Sequence, residues 1–166
     1  MQDFLNKYPL ASIPLFVLFW CAILCLIAVL SGWATLAERF RLASTFSGPT
    51  WSFQSARMRW TSHYGNCLTV GADATGLMLS VLFLLRPGHP PLFVPWSEIS
   101  VAKRQNFWII RRVRLLLGRE EQIPFVVSGG LADRIQAAAG ASWPIESVFE
   151  AGQGFPGAFP KGPGNL

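Results

Sequence analysis

The chain has 166 residues and carries 14 Lys and Arg against 9 Asp and Glu, a formal charge of +5 with a pI near 9.6. Its mean hydropathy of +0.36 averages one strongly apolar segment with a more polar remainder, and that remainder, about 100 residues, suffices for a single modest core. Two of the three cysteines, Cys21 and Cys25, lie inside the apolar segment. Cys67 is left alone outside it, which excludes a disulfide framework and suits a reducing compartment.

Residues 1–12 form a short tail. No charged residue occurs between Lys7 and Glu38, and Leu15–Leu30 is an unbroken apolar run. A helix over residues 13–36, from Ile13 to Leu36, would be about 36 Å long, enough to cross a hydrocarbon core of ~30 Å with some tilt. A cleaved signal peptide fits less well: the run exceeds the roughly 7–15 residues of such a core, and Asp3 offsets Lys7 at the N-terminus. Arg39, Arg41, Arg57 and Arg59 follow the helix, whereas Lys7 alone precedes it. That bias predicts a single-pass protein of the plasma (inner) membrane with its C-terminal domain cytoplasmic. Tyr8 and Trp33 sit where an aromatic belt is expected.

Residues 37–49 read as a juxtamembrane linker ending in the turn signal Ser47-Gly48-Pro49. Residues 50–150 carry the domain. Ala56–Trp60 alternates apolar and charged, the period of a half-buried strand. Cys67–Gly71 and Leu77–Leu85 read as strands joined by the turn Asp73-Ala74-Thr75-Gly76. Arg86–Pro91 is a loop by composition, and Pro95 marks a strand end after Leu92–Val94. Ile99–Arg104 and Phe107–Leu117 follow, with a bend at Gln105-Asn106 and a turn at Gly118–Glu121 before Ile123–Val127. A closing helix has Ser128 as N-cap, Gly140 as stop, and Leu131, Ile135 and Ala138 on one face. The pattern predicts an α+β chain: a mostly antiparallel curled sheet or barrel capped by a C-terminal helix, behind one transmembrane helix. The Gly- and Pro-rich tail, residues 151–166, has the composition of an irregular segment.

Within Asn66–Ala139, Leu68-Thr69-Val70, the Gly76-Leu77 strand entry and Phe93-Val94-Pro95-Trp96-Ser97-Glu98-Ile99 resemble the bacterial pleckstrin-homology-like, or GRAM-like, domains. The resemblance covers a little under half the chain. It implies a curled sheet capped by a helix and used for binding rather than catalysis. Lipid-binding members of that class place basic residues at the first β-hairpin turn. Here that turn is Asp73–Gly76, and its lack of Lys and Arg counts against inositol-phosphate recognition.

Candidate chemistry is sparse. His63 and Cys67 straddle Gly65-Asn66 and lack a recognisable base or oxyanion hole for nucleophilic work. Cys67, His63 and His89 are too scattered to suggest a zinc site. An apolar helix without His offers no imidazole to haem iron, and no cofactor is expected. The strongest electrostatic signal is the cluster Lys103, Arg104, Arg111, Arg112, Arg114 and Arg119. Arg112 and Arg114 fall on one strand face with Arg111 opposite. The cluster is read as a contact for a partner or a lipid headgroup, or as a solvated face. In the apolar helix, Cys21, Cys25, Ala28 and Gly32 put small residues on one face, a pattern for close helix–helix packing.

The reading is a non-enzymatic, single-pass membrane protein whose domain is an interaction or assembly subunit of a larger membrane complex. Its expected partners are membrane lipids and other membrane protein subunits, with neither nucleic acid nor a small-molecule substrate. An anionic-lipid-sensing module and an enzyme with an unrecognised site are the alternatives.

Overall fold

A computed structural model describes residues 9–59, 62–107 and 110–144. The tail 151–166, Tyr8, Lys7, Trp60, Glu146 and Glu150 therefore lie outside the described residues. Two helices open the chain, α1 (Pro9–Ser31) and α2 (Trp33–Phe40). Seven strands follow: β1 (Thr50–Met58), β2 (Ser62–Ala72), β3 (Gly76–Val81), β4 (Leu92–Pro95), β5 (Ile99–Phe107), β6 (Ile110–Leu117) and β7 (Ile123–Ser128). Helix α3 (Gly129–Ala139) closes the domain.

The 19 residues Ile13–Ser31 of α1 are long and apolar enough to cross a membrane, and most of their surface is left uncovered by the rest of the chain. The expected helix over 13–36 is not continuous. Gly32 adopts φ +82°, a left-handed conformation that ends α1 and starts α2 at a new angle. Trp33, expected at a membrane interface, is instead fully buried with Leu36 and Phe40 in the core of the sheet. Residues 37–40, expected as linker, complete that helix.

All seven strands are antiparallel neighbours in the order β4-β3-β2-β1-β7-β6-β5, a nearly closed sheet with β4 and β5 at its edges. Strand β1 joins the two halves. Its pairing with β2 shifts register around Phe53, where φ is +56°, and its last residues, Ala56–Met58, pair with β7. A bulge of this kind lets one strand bend from one half of a curled sheet into the other. Alternate residues Leu68, Val70, Leu77, Leu79, Val113, Leu115, Leu117, Ile123 and Phe125 fill the interior, the period-2 pattern of a sheet with one buried face. Leu131, Ala132, Ile135 and Ala139 seat α3 on that core, and the Ser128 hydroxyl caps it by accepting from Leu131 N–H at 3.4 Å.

Three boundaries differ from the sequence reading. Strands β1 and β2 are longer than their apolar signals, because polar residues occupy their solvent faces. Leu77–Leu85 is not one strand: β3 ends at Val81 and Phe83–Leu85 form a 3-10 turn. The expected bend at Gln105-Asn106 lies inside β5, which continues to Phe107.

Candidate functional site

Strand β3 leads into a connection that runs back beside α1. Leu24, Ala28 and Ser31, spaced four and three residues apart, form the face of α1 buried by the chain itself. Against it lies the segment between β3 and β4. Trp20 Nε1–H donates to Leu84 O at 3.4 Å, and a Cβ on Gly88 would meet Cys25 Cα at 2.9 Å and Ala28 Cβ at 3.2 Å. The small residues of α1 thus give their close approach to the chain's own loop. Of the four small residues expected on a helix-packing face, Ala28 and Gly32 are buried inside the chain, Cys21 is half-buried and Cys25 is exposed.

The lower end of this seam is polar and buried. The Tyr64 hydroxyl lies 3.0 Å from both Ser31 Oγ and His89 Nε2. Ser31 Oγ accepts from Trp33 N–H at 3.3 Å and donates to Ala28 O at 3.2 Å. His89 Nδ1 is 3.1 Å from Pro87 O, and Trp33 Nε1–H donates to Pro90 O at 2.9 Å. The Trp33 ring packs tilted on Tyr64 and His89, with centroids 5.7 and 5.3 Å away. Burial pushes the Tyr64 hydroxyl above its ordinary pKa and His89 below its own, against the carbonyls of Pro87 and Leu85. The hydrogen-bonding side-chain atoms of Ser31, Tyr64 and His89 face partners inside the chain. The cluster fastens α1 to the sheet. Its chemistry is that of a joint, because Ser31 and His89 are sealed from solvent.

The arginines form a second feature, larger than the sequence signal. Arg57 of β1 and Arg114 of β6 both lie opposite Val126 of β7, so the three share the outer face. Nearer Gly32, the Arg59 N–H donates to Pro124 O at 3.1 Å, and Pro124 pairs with Leu116. On the other side, Arg112 lies opposite Ser128. Arg57, Arg59 and Arg112 are exposed and Arg114 is half-buried. Strands β1, β6 and β7 contain no acidic residue. Lys103 stands opposite Arg114 in register and Arg104 opposite Val113; their side chains lie outside the described residues.

The two remaining members of the expected cluster, Arg111 and Arg119, lie elsewhere. Arg111, on the opposite face as expected, is ion-paired with Asp133 of α3, and Gly129 leaves the space for it. Arg119 donates from Nε to Ser97 O at 2.8 Å and from its N–H to Glu98 Oε2 at 3.1 Å, which locks the β6–β7 turn to the start of β5. Glu120 and Glu121, in the turn expected at Gly118–Glu121, both accept from Arg39 Nη1, at 2.7 and 3.0 Å. Sequence reasoning used Arg57 and Arg59 for membrane orientation and for the strand period of Ala56–Trp60. The place of Arg57 beside Arg114 depends on a β1–β7 pairing across some seventy residues, for which no local signal exists.

The first β-hairpin turn is also not where it was expected. It joins β1 to β2 after Arg59, whereas Asp73–Gly76 is the second hairpin turn. That turn is fixed by Asp73 Oδ1, which accepts from the N–H groups of Thr75 at 2.7 Å and Gly76 at 3.0 Å. Its lack of basic residues therefore carries no weight against lipid binding.

Compared with protein-family profiles, with curated proteins and with solved structures, the chain matches none.

Proposed function

We propose that this chain is a single-pass protein of the plasma (inner) membrane whose cytoplasmic domain is a non-catalytic assembly module, docking an acidic subunit of a membrane complex on its arginine face. The apolar, uncovered surface of α1 supports the anchor, and the excess of arginine after it supports the orientation. Seven antiparallel strands closed by a helix support the pleckstrin-like reading.

The observation that carries the proposal is the outer face bearing Arg57, Arg112 and Arg114 on strands without a carboxylate, with Arg59 just past the end of β1. A surface of one sign favours a complementary partner and steers its encounter.

The test is extraction in mild detergent followed by native size analysis. The wild-type chain is expected to run larger than one copy. Arg112→Glu with Arg114→Glu is expected to cost about 3 kcal/mol or more in partner binding, roughly a hundredfold in affinity, and to return the chain to its own size with unchanged circular dichroism. A wild-type chain that runs alone would refute the assembly reading. The position of Arg59 at the first hairpin turn, next to the end of α1, favours the anionic-lipid alternative. Co-extraction of anionic lipid by the lone chain, lost in Arg57→Glu with Arg59→Glu, would put that alternative in its place.

A further inference from the structure

Leu82, Phe83 and Leu84 follow one another at the tip of the β3–β4 connection and are 45, 72 and 55 % exposed. Three consecutive large apolar side chains on a water-facing loop are costly, each losing the stabilisation of roughly 1.5–3 kcal/mol that burial would give. Their position along α1 explains them. The Trp20–Leu84 hydrogen bond places the tip beside Trp20, eleven residues before Ser31 and about 16 Å along the helix axis. The connection then descends past Cys25 and Ala28 at Gly88 and reaches Trp33 at Pro90. The tip therefore lies beside the middle of the apolar span, not beside its end.

From this placement we infer that the Leu82–Leu84 tip enters the hydrocarbon of the same bilayer that α1 crosses, a second membrane contact of the β domain. The inference rests on the proposed crossing by α1, and what it adds is the loop. Two further observations agree. The tip and the helix share one apolar notch, lined by Phe16, Val17, Trp20, Cys21, Phe83 and Leu84 among others. Backbone polar groups must be satisfied internally in hydrocarbon. Part of the tip meets this requirement: Leu82 N–H donates to Cys67 O, Leu85 N–H to Leu82 O and Arg86 N–H to Phe83 O, at 2.8, 2.8 and 3.2 Å, while Leu84 O accepts from Trp20. Arg86 follows the tip and is exposed; its long apolar stem allows the guanidinium to reach the headgroups.

Because the loop is bonded to the helix, the domain could not swing freely below the membrane. The arginine face would be held at a fixed angle to the bilayer, as a docking surface in a membrane complex requires.

The test uses the full chain in vesicles of neutral phospholipid, with Cys21→Ala, Cys25→Ala and Cys67→Ala as background. A nitroxide is attached at Phe83→Cys, at Leu18→Cys on α1, or at Ala74→Cys on the turn at the other end of the β2–β3 hairpin. Collisions with oxygen, which concentrates in lipid, are compared with those of a water-soluble nickel chelate. Oxygen is expected to dominate at 18 and 83, and nickel at 74. Nickel dominating at 83 with oxygen dominating at 18 would overturn the loop insertion and leave the crossing intact. Nickel dominating at 18 would overturn both. Leu84→Cys provides the same reading should Phe83→Cys disturb the notch.

Discussion

Replacing Trp33 with alanine is expected to unfold the β domain while leaving α1 in the membrane. Trp33 has no exposed surface, bonds Pro90 O, and packs on the rings of Tyr64 and His89. Truncating a buried tryptophan costs about 3–5 kcal/mol, and the orphaned carbonyl adds roughly 1–3 more. Small domains hold only about 5–15 kcal/mol in total. Unfolding followed by circular dichroism in detergent should show the sheet transition lowered by at least about 12 °C, or lost at 25 °C. A shift of a few degrees would mean that α2 is not part of the core. The same packing makes a fragment that starts at Thr50 unsuitable: without Trp33, Leu36 and Phe40 its sheet would expose apolar surface that α2 covers.

Gly32→Leu is expected to have the next largest effect, and a different one from the partner-helix reading of the sequence. That reading predicts weaker helix association with a normal domain. In the fold, Gly32 has φ +82°, and a Cβ there would lie 2.7 Å from Ile123 Cδ1. The left-handed backbone costs a side chain about 1–3 kcal/mol, and overpacking costs about 1–3 kcal/mol more. Both penalties fall on the joint between α1 and the sheet. The variant should melt well below wild type, with the loss visible in a chain that has no partner present. A normal melting transition combined with lost association would restore the helix-packing account.

What could be read in advance follows from how local each signal is. The apolar helix, strand β7, the Ser128 cap and the stop at Gly140 are written in a few neighbouring residues. So is the shared face of Arg112 and Arg114, which needs only the two-residue period of a strand. The end of α1 was misread because Gly32, Ala34 and Leu36 continue an apolar pattern equally well as membrane helix or as core helix. Hydropathy cannot separate those environments. Only the turn geometry at Gly32 and the aromatic contacts of Trp33 do so. The Ser31–Tyr64–His89 joint draws on three distant segments, and each residue alone looks ordinary. Arg57 joins Arg114 only through Val126, by a pairing that the β1 bulge makes possible.

Each functional step depends on α1 crossing a bilayer with the domain on the cytoplasmic side. The direct measurement is labelling of Ala74→Cys, in the background of Cys21→Ala, Cys25→Ala and Cys67→Ala, by a membrane-impermeant thiol reagent in cells. Position 74 is exposed on a turn, whereas the thiol of Cys67 is half-buried and its pKa is raised by that burial, which makes it a slow reporter. The protein is expected to stay with the membrane after alkaline carbonate extraction and to label only once the cells are permeabilised. Labelling in intact cells, or release of the chain by carbonate, would contradict the account.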